Sequence, residues 1–280
     1  MIASGYRRGE LIAWDADTTI EARTDPIHSL DVSPDSAVLA TGSLHKTTNL
    51  WSTKRTRYPI NSLDFSPDGA VLAIASVYQT KVWSTEMWLL QGTIECAAYV
   101  TCIRFSPSGE HLAIATFRNI QIWKPGTRKW IASFDLDHAT IDNFPAWNNS
   151  LVWTPDGTRL LSGGDVDDPT IREWDASTWK QVGHPWKGHT DWINAIAINP
   201  AGTLVASASD DNCVRLWRLS DRRTITTFRH SDEVFCVTFS TDGKHILSGG
   251  GDKKISQWSV PEHALREDTP KEQTSKVISR

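Results

Sequence analysis

Six short segments along the chain share one hydrophobic pattern, with apolar side chains at the fourth and sixth positions. The pairs are Leu30/Val32, Leu63/Phe65, Ile103/Phe105, Leu151/Trp153, Ile196/Ile198 and Val237/Phe239. A period of two predicts strands. A four-residue turn follows each: Ser33-Pro34-Asp35-Ser36, Ser66-Pro67-Asp68-Gly69, Ser106-Pro107-Ser108-Gly109, Thr154-Pro155-Asp156-Gly157, Asn199-Pro200-Ala201-Gly202 and Ser240-Thr241-Asp242-Gly243. Most suit a type I turn, in which the first side chain bonds the backbone, Pro presets φ at the second position and Gly closes the fourth. A second apolar run comes next, such as Val38-Leu39-Ala40 or Leu204-Val205-Ala206, and then a Trp 16 to 19 residues beyond the turn's second position. These are Trp51, Trp83, Trp123, Trp174, Trp217 and Trp258, and Trp14 closes a partial unit beginning at Ile2.

The turns are spaced by 33, 40, 48, 45 and 41 residues. A period of that size is the signature of a repeat architecture, and each unit has room for about four short strands. The predicted organisation is a partial unit at 1–23 and repeats at about 24–57, 58–92, 93–132, 133–180, 181–223 and 224–265. Residues 266–280 are expected to form a last outer strand or a mobile tail. The partial unit lacks a first strand, so ring closure stays open between two readings. In one, Lys276-Val277-Ile278-Ser279 supplies the opening strand, against which Arg280 would fall on a core position. In the other, the chain is a fragment or shortened form of a larger repeat protein.

Two repeats carry a further spacing. From His189 and from His230, a Ser follows at +18 (Ser207, Ser248), an Asp at +22 (Asp211, Asp252) and a Trp at +28 (Trp217, Trp258). With Gly188-His189 ahead of the sixth unit, these residues resemble the WD40-repeat β-propellers, whose repeats read approximately Gly-His, Ser-Pro-Asp-Gly, Ser-x-x-x-Asp and Trp-Asp. The resemblance covers roughly residues 1–265. It implies an all-β, seven-bladed propeller with its first blade incomplete, in which the His, Ser, Asp and Trp of a repeat form a scaffolding tetrad. The second and third repeats depart from the pattern, and only Trp14 and Trp174 are followed by Asp.

The same residues read without the family give a compatible account. A His, Ser and Asp together suggest a nucleophilic triad, but an active site needs one constellation and this one recurs. A buried chain in which each donor meets an acceptor fits better. The blade tryptophans Trp14, Trp51, Trp83, Trp123 and Trp174 read as core. Cys102 and Cys236 occupy a first-strand slot that elsewhere holds Ser29, Ser62, Ser150 and Ala195, so a small side chain is the requirement. Asp165-Val166-Asp167-Asp168 lacks the alternating acids, central Gly and closing Glu of an EF-hand. Ser248-Gly249-Gly250-Gly251 lacks the Lys-Ser/Thr of a phosphate loop. No metal, cofactor, small-molecule substrate or catalytic residue is expected.

The 280 residues include 14 Trp, four Cys, 22% charged residues and a net charge of −4. No global basic field points to nucleic acid, and the Arg and Lys pairs fall in different repeats. No apolar run is long enough to span a bilayer. Arg7, Arg8 and Glu10 stand where a secretory signal needs apolar residues, and the sparse Cys form no disulfide framework. Intracellular residence, in cytoplasm or nucleus, is the expectation.

The resemblance implies that the loops entering each first strand and the turns between second and third strands share one rim, the top face. Tyr99, Trp147, Trp192 and Phe235 fall there, with Asn149, Asn194 and Asp210 beside them. Acids from the long insertions of the fifth repeat, including Asp142, Asp165, Asp167 and Asp168, would form a lip suited to a basic or amphipathic peptide. The leading expectation is a non-enzymatic scaffold holding a peptide or protein on this face. Alternatives are a ubiquitin-ligase substrate receptor, disfavoured by Ala16-Asp17 and Ala176-Ser177 where Trp-Asp-x-Arg is usual, and the sensor repeat array of a NACHT-type NTPase.

Overall fold

The structure, a computed structural model, describes residues 60–135 and 150–265, the segments 2–5, 10–14, 19–21, 27–32, 39–43, 47–49 and 54–55, and Pro34. Among the described residues the strands form seven antiparallel sheets, each an uninterrupted meander in chain order. The first sheet contains Ile2–Gly5, Glu10–Trp14 and Thr19–Glu21. The second runs from Ile27–Val32 through Leu39–Ser43 and Thr47–Asn49 to Lys54–Arg55. The third comprises Ile60–Phe65, Val71–Ser76, Gln79–Ser84 and Leu90–Glu95, and the fourth Val100–Phe105, Leu112–Thr116, Asn119–Lys124 and Lys129–Asp135. In the fifth are Ser150–Trp153, Arg159–Gly163 and Ile171–Asp175. The sixth has Ile193–Ile198, Leu204–Ser209, Cys213–Arg218 and Thr224–Arg229, and the seventh Val234–Phe239, His245–Gly250 and Ile255–Ser259. From the second sheet onward, the first strand of each sheet packs on the first strand of the next. This is an all-β, propeller-type arrangement.

Two elements depart from a regular four-strand unit. Beside the fifth sheet the outer strand is reduced to two isolated bridges, Ile171 with Trp186 and Trp174 with Gln181. After the seventh sheet a short helix, Glu262–Leu265, follows Ile255–Ser259, and its Ala264 packs with Val260 into the core of the last two sheets. An outer strand or tail at 266–280, and the proposed closure through 276–279, lie outside the described residues.

The turns show why Gly recurs at their fourth position. Gly69, Gly109, Gly157, Gly202 and Gly243 all sit at φ between +68° and +73°, a conformation that costs an L-residue about 1–2 kcal/mol. Each turn also stacks on the one before it. A Cβ added to Gly202 would stand 3.3 Å from Pro155 Cδ, and one on Gly69 3.3 Å from Pro34 Cδ. Within a turn, Ser66 Oγ accepts the Val71 amide at 2.9 Å and donates to Asp68 Oδ1 at 2.5 Å. Asn199 Oδ1 accepts the Thr203 and Leu204 amides, each at 2.8 Å.

A second set of bonds joins inner strands across sheets. Asp31 Oδ2 accepts the Phe65 amide at 2.8 Å, and Asp64 Oδ2 accepts the Phe105 amide at 2.6 Å. One position pair earlier, Ser62 Oγ accepts from Ile103 N at 3.1 Å and Ser150 Oγ from Ile196 N at 2.8 Å. The third-position slot therefore holds more than a small side chain; at Ser62 and Ser150 it also satisfies an amide of the following sheet. Enclosure between the inner strands pushes the Asp64 carboxyl up to about 7, against the pull of Arg104 and the Phe105 amide, and Asp31 adds to the rise.

The seventh sheet differs from the third to sixth sheets on one face. Thr80, Ile120, Ile171 and Val214 open the third strands of their sheets at matching register and are fully buried. Ile255, their counterpart, is 56% exposed, and Cys236 on the same face is exposed.

Replacing Gly202 with Ala should lower unfolding free energy by about 1–2 kcal/mol from the left-handed backbone, with Pro155 adding to the strain. Gly126→Ala is the control, since a Cβ there meets nothing within 4 Å, and should stay within about 0.5 kcal/mol of wild type. Urea titration of both variants measures the difference.

Candidate functional site

The sixth and seventh sheets each hold a closed chain of polar side chains. In the sixth, His189 Nδ1 lies 2.8 Å from Asp211 Oδ2 and His189 Nε2 lies 2.6 Å from Ser207 Oγ. Trp217 Nε1 donates to the same Ser207 Oγ at 2.8 Å. The seventh repeats it: His230 Nδ1 to Asp252 Oδ2 at 3.1 Å, His230 Nε2 to Ser248 Oγ at 2.8 Å and Trp258 Nε1 to Ser248 Oγ at 2.8 Å. A carboxylate only accepts, so Nδ1 carries the proton of a neutral imidazole and Nε2 accepts from the Ser hydroxyl. The Ser oxygen is left to accept from the indole. Every donor in the chain then has an acceptor.

This order of Asp, His and Ser matches that of a hydrolytic triad, and two features separate it from one. The Ser oxygen is already engaged by an indole N–H. Ser207 is fully buried and Ser248 only 2% exposed, so a substrate has no approach to either hydroxyl. Burial lowers the His189 pKa below its usual 6.5, outweighing the hydrogen bond and charge of Asp211. For Asp211, burial acts upward but is outweighed by the His189 hydrogen bond and charge and by the Thr190 and Cys213 amides, so its carboxyl is held low. Asp252 is held low first by the Lys254 amide, and the hydrogen bond and charge of His230 add to this against the opposing effect of burial.

The other blade tryptophans are placed unevenly. Trp174 is 4% exposed, donates to Ser162 Oγ at 3.0 Å and stacks on Phe134 with centroids 4.3 Å apart. The Ser half of a tetrad is thus present in the fifth sheet, where a longer insertion shifts the spacing to 12 residues and hides it from a fixed-offset reading. Trp123 turns back to Gln121 Oε1 at 3.1 Å, and the buried Trp83 Nε1 meets no acceptor among the described residues. Trp51 and the side chain of Trp14 lie outside the described residues.

Several proposed rim residues serve the protein's own structure. Asn194 Nδ2 donates to Asp210 Oδ1 at 2.6 Å and to the Val234 carbonyl of the next sheet at 3.0 Å. Burial raises the Asp210 pKa, with Asn194 pulling downward and the Asp191 and Asp211 charges adding to the rise. Asp165 is only 5% exposed, because its Oδ1 accepts the Asp167 and Asp168 amides at 3.1 and 3.2 Å. Asp168 is paired with Arg172 at 2.7 Å. Of the three described acids in this lip, Asp167 is the exposed one. Trp192 is half-buried and Phe235 is 44% exposed; Asp142, Trp147 and Asn149 lie outside the described residues.

Around Tyr99 the structure assembles a cluster that sequence reasoning missed. Tyr99 stacks on Phe117 with centroids 4.6 Å apart and meets Tyr78 edge-on at 6.5 Å. Its hydroxyl donates to Asn61 Oδ1 at 3.1 Å, and Asn61 Nδ2 donates to the Val100 carbonyl at 2.7 Å. Tyr78 and Phe117 occupy the turns between second and third strands, where the tetrad-bearing sheets place Asp211 and Asp252. That exchange of an acid for an aromatic was the available signal. Among the described residues, no three His, Cys, Asp or Glu stand together as a metal site, and no helix is long and apolar enough to cross a membrane.

Ser207→Ala should strand both His189 Nε2 and Trp217 Nε1, at about 1–3 kcal/mol per unsatisfied group; chemical unfolding monitored by tryptophan fluorescence measures this. The depressed His189 pKa makes its contribution fully present above pH 6.5 and progressively lost below it. The stability gap between wild type and His189→Gln should therefore narrow between pH 7.5 and pH 5, read from urea midpoints at each pH.

Comparison with known proteins agrees with this geometry. Part of Periodic tryptophan protein 2 from Arabidopsis thaliana is 33% identical over 117 residues, which are 41% of this chain and 13% of that protein. THO complex subunit 3 from the same plant is 32% identical over 112 residues, 39% of this chain and 35% of that protein. The chain therefore spans well under half the length of either relative. The model of the WD domain, G-beta repeat family matches residues 14–52, 148–175, 179–218 and 222–259. Those matches together take in just over half of the sequence, and the chain belongs to the WD40 repeat family.

Proposed function

We propose that this chain is a non-catalytic scaffold that holds a peptide or protein segment on its top rim, the end formed by the loops entering each first strand and the turns between second and third strands. The observation that carries this reading is the Tyr78–Tyr99–Phe117 cluster. It spans the third and fourth sheets, is anchored from below by Asn61, and leaves Tyr78 53% exposed. A rigid aromatic surface of this kind loses little side-chain entropy on binding, which is why Tyr is enriched at hot spots. Loops on a fixed framework are where recognition residues concentrate. Membership in a repeat family of interaction scaffolds supports the same reading, as does similarity to a protein whose name makes it a subunit of a complex.

Binding is favoured over hydrolysis because both His–Ser–Asp sets are internal, duplicated and bonded to a tryptophan. The acids of the fifth-sheet insertion contribute less than their number suggests, since Asp165 and Asp168 are occupied within the fold. A basic or amphipathic segment is still accommodated through Asp167 and the exposed Phe235. Residence inside the cell belongs to the same proposal, with four free thiols, three of them buried, suited to a reducing compartment.

Tyr78→Ala/Phe117→Ala, folded by circular dichroism, should lose a discrete group of proteins captured by wild type from native lysate and quantified by mass spectrometry. An unchanged group of captured proteins overturns the top-rim reading. Tyr99 is left intact because its hydroxyl bond to Asn61 supports the inner strand.

A further inference from the structure

Each pair of adjacent sheets leaves a wedge on the opposite side of the molecule, where the turns after the first strands meet the hairpins between third and fourth strands. Five residues after the blade tryptophan, each hairpin holds a non-glycine residue in the left-handed region: Trp88, Arg128, Trp179 and Arg222, with φ between +52° and +63°. The side chains of Trp179 and Arg222 reach toward the preceding sheet. Between the fourth and fifth sheets, Trp179 fills the wedge, lying 5.4 Å from the His111 ring and 6.1 Å from Trp153. Between the fifth and sixth, Arg222 and Arg159 close it on Glu173, at 2.9 and 3.3 Å. Trp88 packs against the cluster of Phe65 and Ile60.

The wedge between the third and fourth sheets is different. Here Arg128 donates to the Gln91 carbonyl at 2.6 Å and lies over Gly92, as Arg222 lies over Gly183, but Val82 stands at the repeat position where Arg222 meets Glu173. A cleft of about 240 Å³ remains. Its floor is Val71, Val82 and Phe105, which stand at the repeat positions of His111, Ile122 and Trp153. Asp68 and Glu110 form its rim, and among the described residues neither takes part in an ion pair. The volume is below the roughly 300–1,000 Å³ of small-molecule sites and suits one large side chain.

The third and fourth sheets also expose several apolar side chains. Met87, Leu89 and Leu90 on the hairpin of the third sheet are 64%, 55% and 45% exposed, and Trp130 on the fourth is 52% exposed. Leu90 and Trp130 occupy the same repeat position, seven residues after Trp83 and Trp123.

We infer that this cleft receives an aromatic side chain from a peptide segment of a partner protein, with a neighbouring Lys or Arg of that segment held by Asp68 and Glu110. The aromatic is specified by the protein itself, because an indole in cis occupies the equivalent wedge one sheet further on. The basic neighbour follows from the two rim carboxylates. This site is separate from the top rim and does not depend on it.

Panning a phage-displayed library of random 12-residue peptides on the folded protein, followed by fluorescence polarisation with the enriched sequences as labelled synthetic peptides, tests the inference. Enriched peptides should place Trp, Tyr or Phe beside Lys or Arg. Arg128→Trp, which puts an indole where Trp179 stands in the next repeat, and Glu110→Lys at the exposed rim should each weaken binding at least tenfold, with unchanged circular dichroism. Failure to enrich any such motif, or unaltered affinity in either folded variant, overturns it. Should Arg128→Trp not fold, Glu110→Lys decides alone. Tyr78→Ala/Phe117→Ala should leave this affinity intact, which keeps the two sites distinguishable.

Discussion

A sheet whose middle strands are buried on both faces has no independent existence. Leu112–Thr116 is buried at every residue, and Leu204–Ser209 likewise, so each sheet depends on a neighbour on either side to remove its apolar surface from water. Mutual covering of successive sheets is the constraint from which the other features descend. It demands that inner strands meet in register, and Ser62, Asp64 and Ser150 secure that register by accepting amides of the following sheet. It also demands that the turns nest, which the Pro ring of one turn and the left-handed Gly of the next achieve together.

Within that framework the polar tetrads solve a local problem. A buried tryptophan brings an N–H that needs an acceptor, and a buried histidine brings two nitrogens. Linking them through one serine oxygen and one aspartate satisfies all of them and ties the loop bearing His189 or His230 to the strands bearing the serine and the tryptophan. The third and fourth sheets dispense with this device. Their middle strands are richer in Ala and Ile, Trp123 bonds locally and the Trp83 indole meets no acceptor among the described residues, yet both sheets keep four strands. The family model passes over residues 53–147, which include these two sheets.

These two sheets, which lack the tetrad, carry both of the surfaces proposed above for partner binding. On one side the acids of the second-to-third-strand turns are replaced by Tyr78 and Phe117, which gather around Tyr99. On the other, the wedge that Trp179 and the Arg222–Glu173–Arg159 set close elsewhere stays open. Departure from the repeat pattern and exposure of Tyr78, Met87, Leu89, Leu90 and Trp130 fall in the same two units. A residue that the fold does not require is available for a partner.

The repeat period, the strands, the turn chemistry and the two His–Ser–Asp–Trp chains were all determined by sequence alone, because each arises from contacts within one unit, where fixed offsets translate directly into geometry. Ser162 escaped because an insertion changed its offset to Trp174. Tertiary structure alone decided the fate of the surface residues. Nothing in the spacing of Asp165 and Asp168 shows that one is spent on its own loop amides and the other on Arg172, or that Asn194 bridges to the next sheet. The open wedge was equally invisible, since it is defined by how Arg128 lies relative to a different sheet. Local bonding is written in short-range order along the chain; which side chains remain exposed is settled only when neighbouring sheets compete for them.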